Sequence, residues 1–191
     1  NQEGGRSHFM TRRFDRDADG RKIHMQSLGA LTHADFNVSG LYSYEQTLQM
    51  MKALQLPQVD LDQQVLRTMF NVAGCNHDDH VKNIAFLMDR GGNWRLSPAF
   101  DVTYAYNPDG LWTNQHQMRV NGKQSGITRA DLIALAAVAD IKRQRAEAMV
   151  DDVIGVIGRW PEMAERAGVT EKQMEKIRNA LVPVLQGLSP V

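Results

Sequence analysis

Residues 75–83 read CNHDDHVKN, so two histidines, two aspartates, a lysine and an asparagine stand directly before the apolar run IAFLM. Taken singly, each is what a hydrated loop between a helix and a strand carries. Taken together, their types and spacing suit two chemistries. The first is metal binding: Cys75, His77 and His80 are all acceptable zinc ligands. A closed zinc site needs a fourth, however, and the nearest further histidine is His116, with no Cys-x-x-Cys pair in the chain. The second is phosphoryl transfer. Asn83 follows Asp78 by five residues, the interval between the catalytic aspartate and the metal-binding asparagine of a kinase catalytic loop. That chemistry needs a carboxylate to orient the attacking hydroxyl and take its proton. It needs a neutral amide oxygen that reaches Mg2+ without adding negative charge, and a second carboxylate bridging metal and phosphates. Asp101 supplies the last, eighteen residues beyond Asn83.

The flanking elements must position these groups. Val65, Leu66, Met69, Phe70 and Val72 form a helical stripe that ends near Ala73-Gly74, so the cluster lies just past a helix C-terminus. IAFLM, DRGGN and WRLS read as strand, Gly-Gly turn and strand, and Asp101 comes right after that hairpin. Upstream, SHFMTRRF reads as a strand, DRDADGRK as a hairpin turn and KIHMQSL as the return strand. Ser43 with Gln46, Asp60 with Gln63, Thr128 with Asp131 and Thr170 with Gln173 have the form of helix-capping boxes. The stretch 110–126 has no period and reads as loop. From Thr128 the pattern predicts one long run of helix, stopped by Pro161, and then a last helix after Thr170. The fold class expected is α+β and mostly helical, with a short β-hairpin carrying the catalytic and metal-binding loops.

The chain has 191 residues, 42% hydrophobic and 23% charged, ample for one core. Zero formal net charge lacks the footprint of a dedicated nucleic-acid binder. A single cysteine excludes an intrachain disulfide framework and fits a reducing compartment. No apolar run approaches the roughly 18 residues that span a bilayer. The basic group Arg12, Arg13, Arg16, Arg21 and Lys22 is interleaved with acids and reads as a solvated hairpin. The chain opens NQEGGRSHFM, with no initiator methionine, and reads as a sequence entered partway through.

The stretch GCNHDDHVKNIAFLMDRGGNWRLSPAFDVTYAY resembles the C-terminal domain of HipA-like proteins, the toxin kinases of type II toxin–antitoxin systems. The family pattern Asp-x-His-x-Lys-Asn, then a strand pair, then LsPxYD appears as Asp78, His80, Lys82, Asn83 and LSPAFD ending at Asp101. RFDR, residues 13–16, is similar to the segment that links the two lobes, and the likeness covers most of residues 8–107. The resemblance implies a protein-kinase-like C-lobe in residues 36–191, with 1–35 as the end of the N-lobe and the hinge, and the N-terminal lobe absent. It implies ATP, Mg2+ and transfer of the γ-phosphate to Ser or Thr of a protein, in toxin members one of the translation machinery. It implies a cytoplasmic protein with a HipB-type antitoxin repressor as partner, DNA reached only through that antitoxin, and no membrane. By position, Asp78 is the base, Asn83 and Asp101 hold Mg2+, and His80 and Lys82 shape the loop and approach the phosphates. Arg12 and Phe14 offer backbone groups to adenine, and Asp15 reaches the ribose.

Two departures from the pattern stand out: Arg12 where an acidic residue is expected, and Phe100 in place of Tyr; Asp79 beside Asp78 leaves two candidates for the base, and the spacing to Asn83 favours Asp78. No Gly-rich phosphate loop is present, and Lys22 and Lys52 follow the linker in the wrong order for the usual strand lysine. Asp-x-His-x-x-Asn is also used by aminoglycoside phosphotransferases and phosphoinositide kinases, which keeps a small-molecule kinase open. A catalytically inactive lobe serving as an interaction module is the third reading.

Overall fold

The computed structural model describes residues 2–3, 6–8 and 10–190. Its centre is α3 (Gln58–Ala73), whose Leu61, Val65, Met69 and Val72 recur every three or four residues and are all buried. Around it stand α2 (Tyr44–Ala53), α4 (Arg129–Val138), α5 (Arg143–Gly158) and α7 (Glu171–Leu188). Leu48, Met51, Leu132, Leu135 and Val150 close this core from the surrounding helices. At one end, a three-stranded antiparallel sheet runs in the order β3 (His24–Ser27), β4 (Ala85–Met88), β5 (Trp94–Leu96). A two-stranded ribbon, β1 (Gln2–Glu3) with β2 (Arg6–Ser7), precedes it. The short α1 (Leu28–Thr32) leads out of β3.

Capping chemistry sets the helix starts. Ser43 and Thr128 each form a complete capping box, with Gln46 and Asp131 respectively. Thr170 accepts from the Gln173 N–H. The expected box at Asp60 does not form. Helix α3 begins two residues earlier, behind Pro57, and Asp60 sits inside its first turn. Its buried carboxylate accepts from Arg95 Nε at 2.8 Å, Arg95 Nη2 at 3.1 Å and the Leu96 N–H at 3.0 Å, riveting β5 to α3.

Further expectations are corrected. The run from Thr128 is not one helix: α4 stops at a Schellman turn with Asp140 left-handed at φ 57, the Ile141 N–H reaching Ala136 O and the Asp140 N–H reaching Ala137 O. Lys52 pairs with Asp140 at 2.5 Å and Ile141 turns into the core, so tertiary contacts hold the break. Helix α5 does end ahead of Pro161, at Gly158, as expected, but Pro161 itself belongs to a further helix. It lies in the first turn of α6 (Trp160–Arg166), where a missing N–H costs nothing. In the N-terminal part, residues 10–15 form no strand, and Phe9 lies outside the described residues; only an Arg16–Lys22 bridge flanks the turn. The return strand β3 pairs with β4 instead, Ser27 opposite Ala85 and His24 opposite Met88. Residues 24–32 are thereby joined to the same sheet as the hairpin. Gly29 approaches the loop so closely that an added Cβ would lie 3.0 Å from Val81 Cγ2.

Candidate active site

Helix α3 ends in a Schellman turn with Gly74 as C-cap and Cys75 left-handed at φ 52. The Asn76 N–H returns to Asn71 O at 2.9 Å, which points the following loop across the end of the helix. Within that loop the two adjacent aspartates face opposite environments. Asp79 is fully buried and accepts from Tyr44 Oη at 2.8 Å, His116 Nδ1 at 2.9 Å and the Gln117 N–H at 2.7 Å. Burial by itself would raise its pKa, but His116 and the three hydrogen bonds outweigh it and hold the carboxyl below its usual range. Asp78 is 46% exposed, with His80 Nε2 3.7 Å from its Oδ1. Of the two neighbouring carboxylates, Asp78 alone faces solvent.

Asn83 closes the loop. Its Nδ2 donates to Asp78 O at 2.9 Å, and that bond fixes the amide with Oδ1 on the opposite side. Beyond β5, Asp101 stands left-handed at φ 55. His80, Asn83, Phe100 and Asp101 line one small cavity of about 20 Å3. Ala99, Phe100 and Asp101 also form one wall of a larger cavity of about 360 Å3, whose other wall is Thr11, Arg12, Arg13, Phe14, Asp15 and Met25. The Phe14 and Phe100 rings meet at 5.7 Å. Asp101 is common to both cavities, so segments almost ninety residues apart converge on it.

Two side chains are engaged locally. Asp15 accepts from Arg13 Nε and Nη2 at 2.8 and 2.6 Å and from Arg16 Nη1 at 2.7 Å; the Arg13 hydrogen bonds lead in bringing its pKa down to about 2. Lys82 Nζ lies 3.4 Å over the Phe36 ring, and Phe36 meets His80 edge-on at 5.8 Å. The His/Cys metal reading finds no convergence. Cys75 Sγ turns to Ala180 O at 3.8 Å, burial pushing its thiol to about 11, and His77 Nδ1 lies 3.1 Å from Thr113 O. Among the described residues, no three His, Cys, Asp or Glu side chains are grouped to hold a metal. Asn83 and Asp101 offer a different donor set, one amide and one carboxylate oxygen, of the kind a hard cation accepts while retaining water and phosphate ligands.

Tyr44, Asn71 and Gln117 carry no sequence signal as parts of this site, and His116 entered only as the nearest further histidine of the zinc reading. Asn71 Nδ2 donates to Tyr44 Oη at 3.1 Å, and Asn76 Nδ2 to Asn71 Oδ1 at 3.0 Å, extending the Asp79 network into α3. The one hint was the doubled aspartate. A carboxylate that cannot face water requires donors, and these come from α2 and from an aperiodic loop.

A family model described as the HipA-like C-terminal domain matches residues 1–182. The chain belongs to that family: a helical domain with a small three-stranded sheet. Among solved structures, it is similar to a chain of the Shewanella oneidensis MR-1 toxin–antitoxin complex of HipA, HipB and operator DNA, at 18% identity and a TM-score of 0.58. That match covers 94% of this chain and 42% of the other, so the chain spans about two-fifths of that relative's length. No curated protein matches at a significant level. Among the described residues no helix is long and apolar enough to cross a membrane.

Proposed function

We propose that the chain is the kinase-like C-lobe of a HipA-like serine/threonine protein kinase, holding Mg-ATP between segments 11–15 and 99–101. The observation that carries this is the position of Asp101. It lines the large cavity with Arg12, Phe14 and Asp15, and the small one with Asn83 and His80. A nucleotide lying in the larger cavity, against segments 11–15 and 99–101, would turn its phosphates toward Asp101 and Asn83. Those two residues would hold Mg2+, which would supply neutralisation of charge on the transferred phosphoryl group. Asp78, open to solvent, takes the proton of the substrate hydroxyl as its oxygen bonds to the γ-phosphorus and the bond to the ADP oxygen breaks. His80 orients Asp78. Lys82, drawn onto Phe36, braces the loop, and Asp15, held by two arginines, approaches the ribose through its backbone side.

The partner readings follow from the family and its neighbour. The substrate is a Ser- or Thr-bearing protein, of the translation machinery in the toxin reading, and the repressor partner is a HipB-type antitoxin that carries the DNA contact. Calorimetry with Mg-ATP on the chain and its Asp101→Asn variant tests the site. Micromolar to millimolar binding that is lost on substitution is expected; equal affinity in both removes Asp101 from the metal site.

A further inference from the structure

Among the described residues, four buried side-chain polar atoms have no hydrogen-bond partner: Gln64 Oε1, Asn76 Oδ1, His80 Nδ1 and Gln117 Oε1. Three of these four residues, Gln64, Asn76 and His80, line the same cavity of about 20 Å3 that Asn83 and Asp101 line. Orphaned buried polar atoms are costly, so three of them on residues that line one small void call for an explanation. The void has room for a single water-sized species, which needs two to four polar partners.

The orientation of Asn76 is not arbitrary. Asp79 accepts from Tyr44, so the Tyr44 oxygen must accept from Asn71 Nδ2, and the Asn71 oxygen must accept from Asn76 Nδ2. An ionised Asp79 thus fixes each amide in turn and leaves the Asn76 carbonyl oxygen as the free end of the chain. Asn83 is tethered in the same manner, its NH2 committed to Asp78 O. Gln64, 1% exposed, has only a 3.5 Å contact from its Nε2 to Thr68 Oγ1.

We infer that Gln64 Oε1 and Asn76 Oδ1 form a seat for one water molecule bound to the divalent cation at Asn83 and Asp101, an inference that rests on the nucleotide reading above. A cation-bound water gives its lone pair to the metal and has two protons to donate, and these two carbonyl oxygens accept them. Mg2+ dehydrates reluctantly and retains several waters, so a seat for one of them contributes to affinity without adding charge. Gln64 and Asn76 are positioning residues: they act on the metal through its water.

The test compares Mn2+-ATP with metal-free ATP affinity, Mn2+ being followed by its paramagnetic resonance signal, for the unmodified chain, Asp101→Asn and Gln64→Met. Gln64→Met is expected to reduce the metal-dependent gain in affinity about tenfold, as removal of groups behind metal ligands does. The metal-free thermal midpoint should stay level or rise, because an orphaned acceptor is removed. An unchanged metal-dependent gain overturns the seat. If Gln64→Met does not fold, Gln64→Glu carries the test: a carboxylate facing the cation's water should tighten Mn2+-ATP, and no change overturns the proposal. No Mn2+ dependence in the unmodified chain, or one that survives Asp101→Asn, overturns the nucleotide reading itself and the seat with it. A loss in Asp101→Asn with none in the Gln64 variants overturns the seat alone.

Discussion

The loop between α3 and β4 has two sides built on opposite principles. On the inner side, Asp79 collects donors from α2 and the 110–126 loop, and every polar bond it makes is internal. On the outer side, Asp78 is half exposed, Asn83 presents an amide oxygen, and the neighbouring cavity holds unpartnered carbonyl oxygens. The inner side uses its hydrogen-bonding capacity within the fold, and the outer side leaves part of its capacity unpartnered. Rigid support behind open chemistry is what precise positioning of a reactive group requires.

This contrast can be broken from either side. The largest expected effect is on the outer side: Asp78→Asn should lower phosphotransfer by about 10²–10⁴-fold, the usual contribution of a general base, while leaving ATP affinity and the thermal midpoint unchanged. A radiolabel transfer assay beside a thermal melt reads both, and retained transfer removes Asp78 as the base. On the inner side, the order of effects reverses. Asp79→Ala leaves His116, Tyr44 and the Gln117 N–H without their shared acceptor, and should cost about 3–5 kcal/mol of stability, the scale of breaking a buried charged network. Denaturant unfolding measures this, and a loss below 1 kcal/mol would show that the network is dispensable.

The smallest effect sharpens the comparison by pH. His77 lies 4.3 Å from the His116 ring, and burial, assisted by that neighbour, lowers its pKa from 6.5 to about 4. The folded chain therefore keeps His77 neutral where the unfolded chain has already taken up a proton. Stability should decline as pH falls from about 6.5 to about 4 through this group, and change no further below that. His77→Gln should flatten that part of the pH–stability curve relative to the unmodified chain. Parallel curves for the two chains would remove His77 as the source.

What lay in the sequence alone were the local features. Ser43 and Thr128 start their helices with the side chains that the motif names, and α3, β4 and β5 fall where their periodicity puts them. The order Asp78, Asn83, Asp101 was visible because motif spacing is a property of the chain. What tertiary structure decided were the matters that depend on partners distant in sequence. Asp60 became a rivet for Arg95 instead of a cap, since a carboxylate two residues inside a helix is free for a strand packed on it. Asp140 broke a helix that its own pattern would have continued, with Lys52 holding its carboxylate and Ile141 buried. The assignment of one aspartate to the solvent and its neighbour to the core could not be read from the doublet. Adjacent residues of one type carry no local signal of orientation, and only the donors on α2 and the 110–126 loop separate them.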